Sequence, residues 1–200
     1  MISKELEKYI QDNLPVCNSK LELSYAIYVL LGKVLYYSPL YATTKKLGVV
    51  PHPSTVTPNS PFVICYTWSE IYKELLTKYG IEAYIDNRNK SHSFVVFESD
   101  GINIMADATK SSFCTVYDIS NDLTSIKFNL ETNFFNLVPG QINFEEKRKR
   151  YLETKELINK KLNIKTQDDE VEAYIKLLYE SDDADFERTT SVAVLLYSGV

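Results

Sequence analysis

The sequence predicts an α+β fold: helices first, an antiparallel sheet after them, and a helical tail. Three observations carry this expectation. Apolar residues recur at helical spacing from Ser3 to about Tyr37 and again up to Tyr79, the period switches to two after Gly80, and helical spacing returns from Asn143 onwards.

Taken in order, the opening segment breaks near Leu14-Pro15, and a second helix runs from about Ser19 through Leu23, Ile27, Leu30, Leu31 and Leu35. Between Ser38 and Pro61 the chain carries Pro39, Pro51, Pro53, Pro58 and Pro61 among Ser, Thr and Asn. That composition excludes a continuous helix and reads as a long ordered loop of the kind that often serves function. Asn59-Ser60-Pro61 then offers an N-cap followed by proline in the first turn. Ile64, Trp68, Ile71, Leu75 and Tyr79 form one stripe before Gly80 ends the helix, which is expected from about Pro61 or Ile64 to Tyr79. Strands follow at Ile81 to Asp86, Ser93 to Glu98, Ile102 to Ala106, Cys114 to Tyr117, Ser125 to Asn129 and Phe134 to Val138. The tail reads as helices near Phe144 to Leu162, Asp168 to Tyr179 and Ala184 to Tyr197, with a joint at Leu162-Asn163-Ile164-Lys165. Its stripes, among them Tyr151, Leu157, Ile158 and Leu162, are too apolar to stand free in water and should cover the sheet or the N-terminal helices. The expected organisation is a core over residues 1–142 and a helical segment over 143–200 that packs on it.

Composition narrows the partners. The chain has 200 residues, 44% of them hydrophobic and 12% aromatic, enough for one substantial core with a helical appendage. Its formal net charge of -5 argues against nucleic acid, whose phosphates call for clustered Lys and Arg. The one basic run, Lys147-Arg-Lys-Arg150, is flanked by Glu145, Glu146 and Glu153 and reads as a solvated helix face. Ala26 to Leu31 is the longest apolar run, too short to cross a bilayer, and the N-terminus has no cleaved-signal pattern. A soluble protein is expected, cytoplasmic or exported as an effector without a cleaved signal, with the oligomeric state open and a monomer favoured over dimerisation through the tail. Cys17, Cys65 and Cys114 are an odd number at wide spacing, which suggests a reducing compartment and no disulfide framework.

Asp100-Gly101 between two apolar runs signals a two-residue hairpin turn. In that register Ser99 faces Ile102, Phe94 faces Asp107 and His92 faces Thr109. His92 and Asp107 become diagonal neighbours on one side, about 7 to 8 Å apart at the backbone and within side-chain hydrogen-bond reach. Cys65 opens a helix some way upstream. A cysteine, a histidine and an orienting carboxylate are the components of a thiol nucleophile site.

These residues carry a resemblance. Cys65, then Leu75-Leu76, Gly80-Ile81 and Ala83, then His92-Ser-Phe at the head of a strand, then Met105-Ala-Asp107-Ala-Thr109, is similar to the core of the transglutaminase-like branch of the papain-fold cysteine enzymes. In that family a cysteine begins the central helix, a histidine opens a strand and an aspartate ends the next one. The similarity covers about Tyr36 to Lys110, somewhat over a third of the chain. It departs from the family at three points: His92-Ser93-Phe94 stands where His-Ala-Trp is usual, Ile64 stands where glycine often precedes the cysteine, and no tryptophan lies upstream of Cys65. The resemblance implies a papain-like core with Cys65, His92 and Asp107 as the catalytic residues and no metal or cofactor.

The chemistry fits those residue types. A thiol at a helix N-terminus beside an imidazolium is biased towards thiolate. Cys65 would attack an amide carbonyl, His92 would return a proton to the leaving nitrogen, and Asp107 would orient the ring. The Cys65 N–H would supply one oxyanion donor, and a side chain between Tyr36 and Asn59 the second. The expected activity is acyl transfer on protein or peptide amides through a thioester, as glutamine deamidase or cysteine protease ahead of a crosslinking transglutaminase, with nothing in the sequence deciding among the three. The alternative is a non-catalytic interaction domain that keeps the fold. Asp107 also reads as a cap for the turn after its strand. Tyr36, Tyr37 and Tyr41 read as groove lining or a satellite core, and His52 as a rigid, exposed loop residue. A zinc site from Cys65, His92, Cys114 and His52 would lack any short ligand pair.

Overall fold

The computed structural model describes residues 1–44, 50–87, 92–107, 109, 112–119, 122–127, 142–166, 169–170 and 173. Helix α1 (Lys4–Asn13) begins at Ser3, whose Oγ accepts from the Leu6 N–H, and it buries Leu6 and Ile10. Helix α2 (Lys20–Val34) begins at Ser19, whose Oγ accepts from the Glu22 N–H, while the Glu22 carboxylate accepts from the Asn18 N–H. Pro15 lies in the break between them, as the sequence suggests.

The proline-rich stretch holds more structure than a loop. Strand β1 (Tyr36–Tyr37) is followed by a short helix α3 (Pro39–Thr44) and, later, a 3₁₀ turn at Pro53–Thr55. Ser38 makes α3 possible: its Oγ accepts from the Tyr41 N–H and its carbonyl from the Ala42 N–H. Pro39 at the first helical position lacks only a donor that would be unused there. Strand β2 (Phe62–Val63) pairs with β1 in parallel, Tyr36 opposite Phe62 and Tyr37 opposite Val63. That pairing decides between the two expected helix starts, against Pro61 and for the one at about Ile64. Phe62 and Val63 are drawn into extended backbone, so helix α4 (Cys65–Lys78) begins at Cys65 with Ile64 at its N-cap, and the cap makes no side-chain hydrogen bond. The Asn59-Ser60-Pro61 run does not cap a helix: Ser60 N–H donates to the Thr57 carbonyl and hydroxyl, and Thr57 N–H to the Ser60 carbonyl. Helix α4 ends at Gly80 as expected. Gly80 has φ +73°, its N–H donates to Thr77, and the Ile81 N–H donates to Leu76, the paired bonds of a Schellman cap.

Five strands form an antiparallel meander in chain order: β3 (Ala83–Asp86), β4 (Phe94–Ser99), β5 (Ile102–Asp107), β6 (Ser112–Ile119) and β7 (Asp122–Lys127). The hairpin register is the one read from Asp100-Gly101: Ser99 pairs with Ile102 and Val95 with Ala106. Both turn residues have positive φ, 53° at Asp100 and 75° at Gly101, the geometry of a type I′ turn. Val95, Phe97, Ile104 and Ala106 join Trp68, Tyr72, Leu75 and Leu76 of α4 and the apolar face of α2 in one core. Within it Tyr72 donates its hydroxyl proton to the Ser24 carbonyl at 2.8 Å, which satisfies the polar end of a fully buried ring.

Helix α5 (Phe144–Lys161) starts at Asn143, whose Oδ1 accepts from the Glu146 N–H. It ends where the sequence places a joint, with Asn163 at φ 53° and N–H bonds from Asn163 to Lys160 and from Ile164 to Asn159. Thr166 and Asp169 then cap each other's backbone N–H groups. The body of α5 lies on β1 and α3 rather than on the sheet, while Ile142 and Lys147 reach α2. Lys147 therefore departs from the expected solvated face. Its Nζ donates to the Leu35 carbonyl at 2.8 Å and the Lys33 carbonyl at 3.4 Å and sits 3.9 Å from the Tyr36 ring centroid. Burial lowers its pKa to about 8, helped by Arg150. Among the described residues no helix is long and apolar enough to cross a membrane. The expected strand at Phe134 to Val138, the helix at Ala184 to Tyr197 and all but three residues of the helix from Asp168 lie outside the described residues.

Candidate active site

Cys65 stands at the first position of α4, where backbone N–H groups have no partner within the helix and no acidic residue occupies the first turn. The local electrostatic bias there is positive. His92 precedes β4, and Asp107 is the last residue of β5, so the Asp100-Gly101 hairpin carries both into one corner. His92 Nε2 is hydrogen-bonded to Asp107 Oδ2. The His92 side chain is also hydrogen-bonded to Cys65. These two bonds, Asp107 first, raise the His92 pKa to about 9 against the opposing effect of burial. Near neutral pH the ring is an imidazolium.

Asp107 is 3% exposed and Cys65 4%, so the cluster is closed to bulk water except at the edge of the imidazole. The second carboxylate oxygen of Asp107 is also used: Oδ1 accepts from Thr109 N at 3.0 Å and Thr109 Oγ1 at 2.7 Å. The capping and ring-orienting readings of Asp107 are thus both realised, one on each oxygen.

Tyr37 was not singled out from the tyrosine cluster by the sequence, yet it belongs to this corner. The β1–β2 pairing sets Tyr37 beside Val63, two residues before the nucleophile candidate, and the Ser38 N–H donates to the Val63 carbonyl at 2.9 Å. The Tyr37 hydroxyl is hydrogen-bonded to both the Cys65 side chain and the Cys65 backbone. Burial first, then the Cys65 side chain, pushes its pKa well above the usual phenol value, so it remains a neutral donor. No sequence signal marks this contact, because a two-residue strand has no period and its partner is remote in the chain.

The other candidates lie apart from the chemistry. Cys114 is buried in β6 and Cys17 is half-buried beyond α1. His52 is exposed and caps the 3₁₀ turn, with Nδ1 2.7 Å from Ser54 Oγ. Among the described residues no cluster of His, Cys, Asp and Glu is arranged to hold a metal ion, so the four-residue zinc set is not assembled. Trp68 and Tyr72 stack on each other in the core at 4.9 Å between centroids, as packing rather than as a platform for a ligand.

Compared with protein-family models, curated proteins and solved structures, the chain matches none. The functional reading therefore rests on the corner formed by Cys65, His92, Asp107 and Tyr37.

Proposed function

We propose that this chain is a transglutaminase-like thiol enzyme with a papain-like core, acting on protein or peptide amides as a deamidase or protease. The observation that carries the reading is the doubly bonded His92, held at Nε2 by Asp107 and hydrogen-bonded to Cys65 as well. An imidazole in that position stores the thiol's proton and leaves a thiolate at a helix N-terminus.

The steps follow from the residues. The Cys65 thiolate forms a C–S bond at the amide carbonyl, and the π electrons move onto oxygen beside the Cys65 N–H. As the tetrahedral centre collapses the C–N bond breaks, and His92 gives its proton to the departing nitrogen, releasing ammonia or an amine. The neutral ring then takes a proton from water, hydroxide adds to the thioester, and the C–S bond breaks to return the thiolate and a carboxylic acid. Asp107 keeps the ring aligned through both proton transfers.

The test measures ammonia release and new peptide N-termini across glutamine-containing proteins and peptides. Turnover is expected from the parent and loss by several powers of ten in Cys65→Ser, whose fold should change by less than about 1.5 kcal/mol because volume is nearly conserved. Equal amide release by parent and Cys65→Ser refutes the proposal. Ammonia without new N-termini identifies a deamidase, and the reverse a protease.

A further inference from the structure

Helix α5 reaches the thiol corner at one point. The Tyr151 ring packs edge-on against the Tyr37 ring, centroids 5.9 Å apart and planes at 63°. One turn earlier on the same helix, Lys147 donates to the carbonyls of Lys33 and Leu35 and covers Tyr36. Lys33 lies in the last turn of α2 and Leu35 is its C-cap, so these carbonyls have no partner within the helix, and a cation there also meets the negative end of the helix dipole. Lys147 and Tyr151 thus grip the two consecutive residues of β1.

We propose that α5 is a working part of the thiol site, with Tyr151 the residue that positions the Tyr37 hydroxyl on Cys65 and Lys147 the anchor that sets the helix against β1. This rests on Cys65 being the nucleophile. Strand β1 is only two residues long, so backbone pairing alone restrains the Tyr37 ring weakly, and the Tyr151 edge supplies the lateral support. The placement has a consequence for catalysis. A hydroxyl oxygen bonded to the Cys65 N–H sits where a substrate carbonyl oxygen must sit. The arriving carbonyl displaces it, and the phenol, held nearby by Tyr151, then donates its proton in a hydrogen bond to the oxyanion. At rest the same hydroxyl shields the thiol and steadies its anionic form.

Alkylation of Cys65 by iodoacetamide reads this placement without any knowledge of the substrate. Rates at Cys65 and at Cys17 are followed by peptide mass spectrometry over pH 5 to about 9 in the full chain, for the parent, Tyr37→Phe, Tyr151→Ala, Tyr151→Leu and Tyr151→Phe. Loss of the hydroxyl's hold should raise the plateau rate at Cys65 about three- to tenfold, the scale of one hydrogen bond, and move the pH midpoint upwards. Tyr37→Phe and Tyr151→Ala should share that profile, and Tyr151→Phe, which keeps the ring edge, should restore the parent's. Tyr151→Leu takes the place of Tyr151→Ala if thermal unfolding shows the alanine variant to be unfolded. A parental Cys65 profile in the folded Ala or Leu variant overturns the proposal, whatever Tyr37→Phe does. Cys65 labelling no faster than Cys17 in the parent, with no change in His92→Ala, is a different failure: it removes the nucleophile reading itself.

Discussion

Asp107 divides its two oxygens between the backbone and the imidazole. Oδ1 holds the turn at Thr109 and Oδ2 holds His92, so a substitution that spares one role can test the other. Asp107→Asn keeps a carbonyl oxygen for the turn but removes the carboxylate whose hydrogen bond is the first cause of the raised pKa of His92 and whose charge adds to it. In the proposed mechanism, proton donation to the leaving nitrogen needs the imidazolium, which is complete below pH 6.5 and lost as pH rises through about 9. The base limb of the rate profile should therefore lie near 9 in the parent and move towards the ordinary histidine range in Asp107→Asn. The rate below that limb should fall by several powers of ten, on the order of 10⁴, as happens when a triad carboxylate becomes an amide. Cys114→Ser should retain the parent's rate and limb. An Asp107→Asn enzyme whose base limb stays near 9 would mean that Asp107 does not set the state of His92.

At the scale of elements, Gly32 shows how the tail is seated. Glycine inside a helix costs about 1 kcal/mol relative to alanine, yet α2 keeps one at its buried end. A Cβ at Gly32 would lie 2.2 Å from the Ile142 Cδ1, so the glycine makes room for the residue that leads into α5. Gly32→Ala should lower the thermal midpoint despite its better helix propensity. In an Ile142→Ala background the same substitution should leave the midpoint unchanged or raise it. If both backgrounds respond alike, Ile142 does not depend on that space. The elements also show what the sequence made legible. Local signals were readable: the helix starts near Ser3 and Ser19, the Gly80 terminus, the Asp100-Gly101 register and the Asn163 joint all act within a few residues. The hairpin register alone sets His92 and Asp107 on one face of the sheet. What escaped the reading depends on remote partners. The β1–β2 pairing excluded the earlier helix start at Pro61 and delivered Tyr37 to the thiol, and the Ser38 cap made a short helix where the prolines suggested only a loop. Lys147 looked like part of a solvated basic run because its acceptors, the terminal carbonyls of α2, lie more than a hundred residues away in sequence.

For the whole molecule, the charge state of the resting site can be read from how stability varies with pH. His92 has a folded pKa raised from 6.5 to about 9, so considered alone it stabilises the fold fully below pH 6.5, and that contribution is lost as pH rises towards 9. Its proton, however, has a donor next to it. If Cys65 supplies it, the folded chain holds one proton on the pair, on the imidazole. The unfolded chain near pH 7.5 also holds about one, on a thiol with its ordinary pKa near 8.5, and its own His92 adds about half a proton at pH 6.5. The proton counts therefore nearly match, and the pair gives next to no slope above pH 7 and at most a shallow rise below it. Cys65→Ser removes the exchange: the folded chain still protonates His92 through Asp107 while the unfolded chain does not, so stability should fall as pH rises from 6.5. Lys147, with its pKa lowered to about 8 beside Arg150 and Glu146 and over Tyr36, stays charged in both states below pH 7.5, which keeps that window clear of its opposite trend. Urea unfolding at pH 6.5, 7.0 and 7.5 should thus give a nearly flat series for the parent, a falling one for Cys65→Ser and a flat one for Cys65→Ser combined with His92→Ala. A parent that falls as steeply as Cys65→Ser carries a protonated thiol beside the imidazolium, and the resting thiolate–imidazolium pair is then excluded.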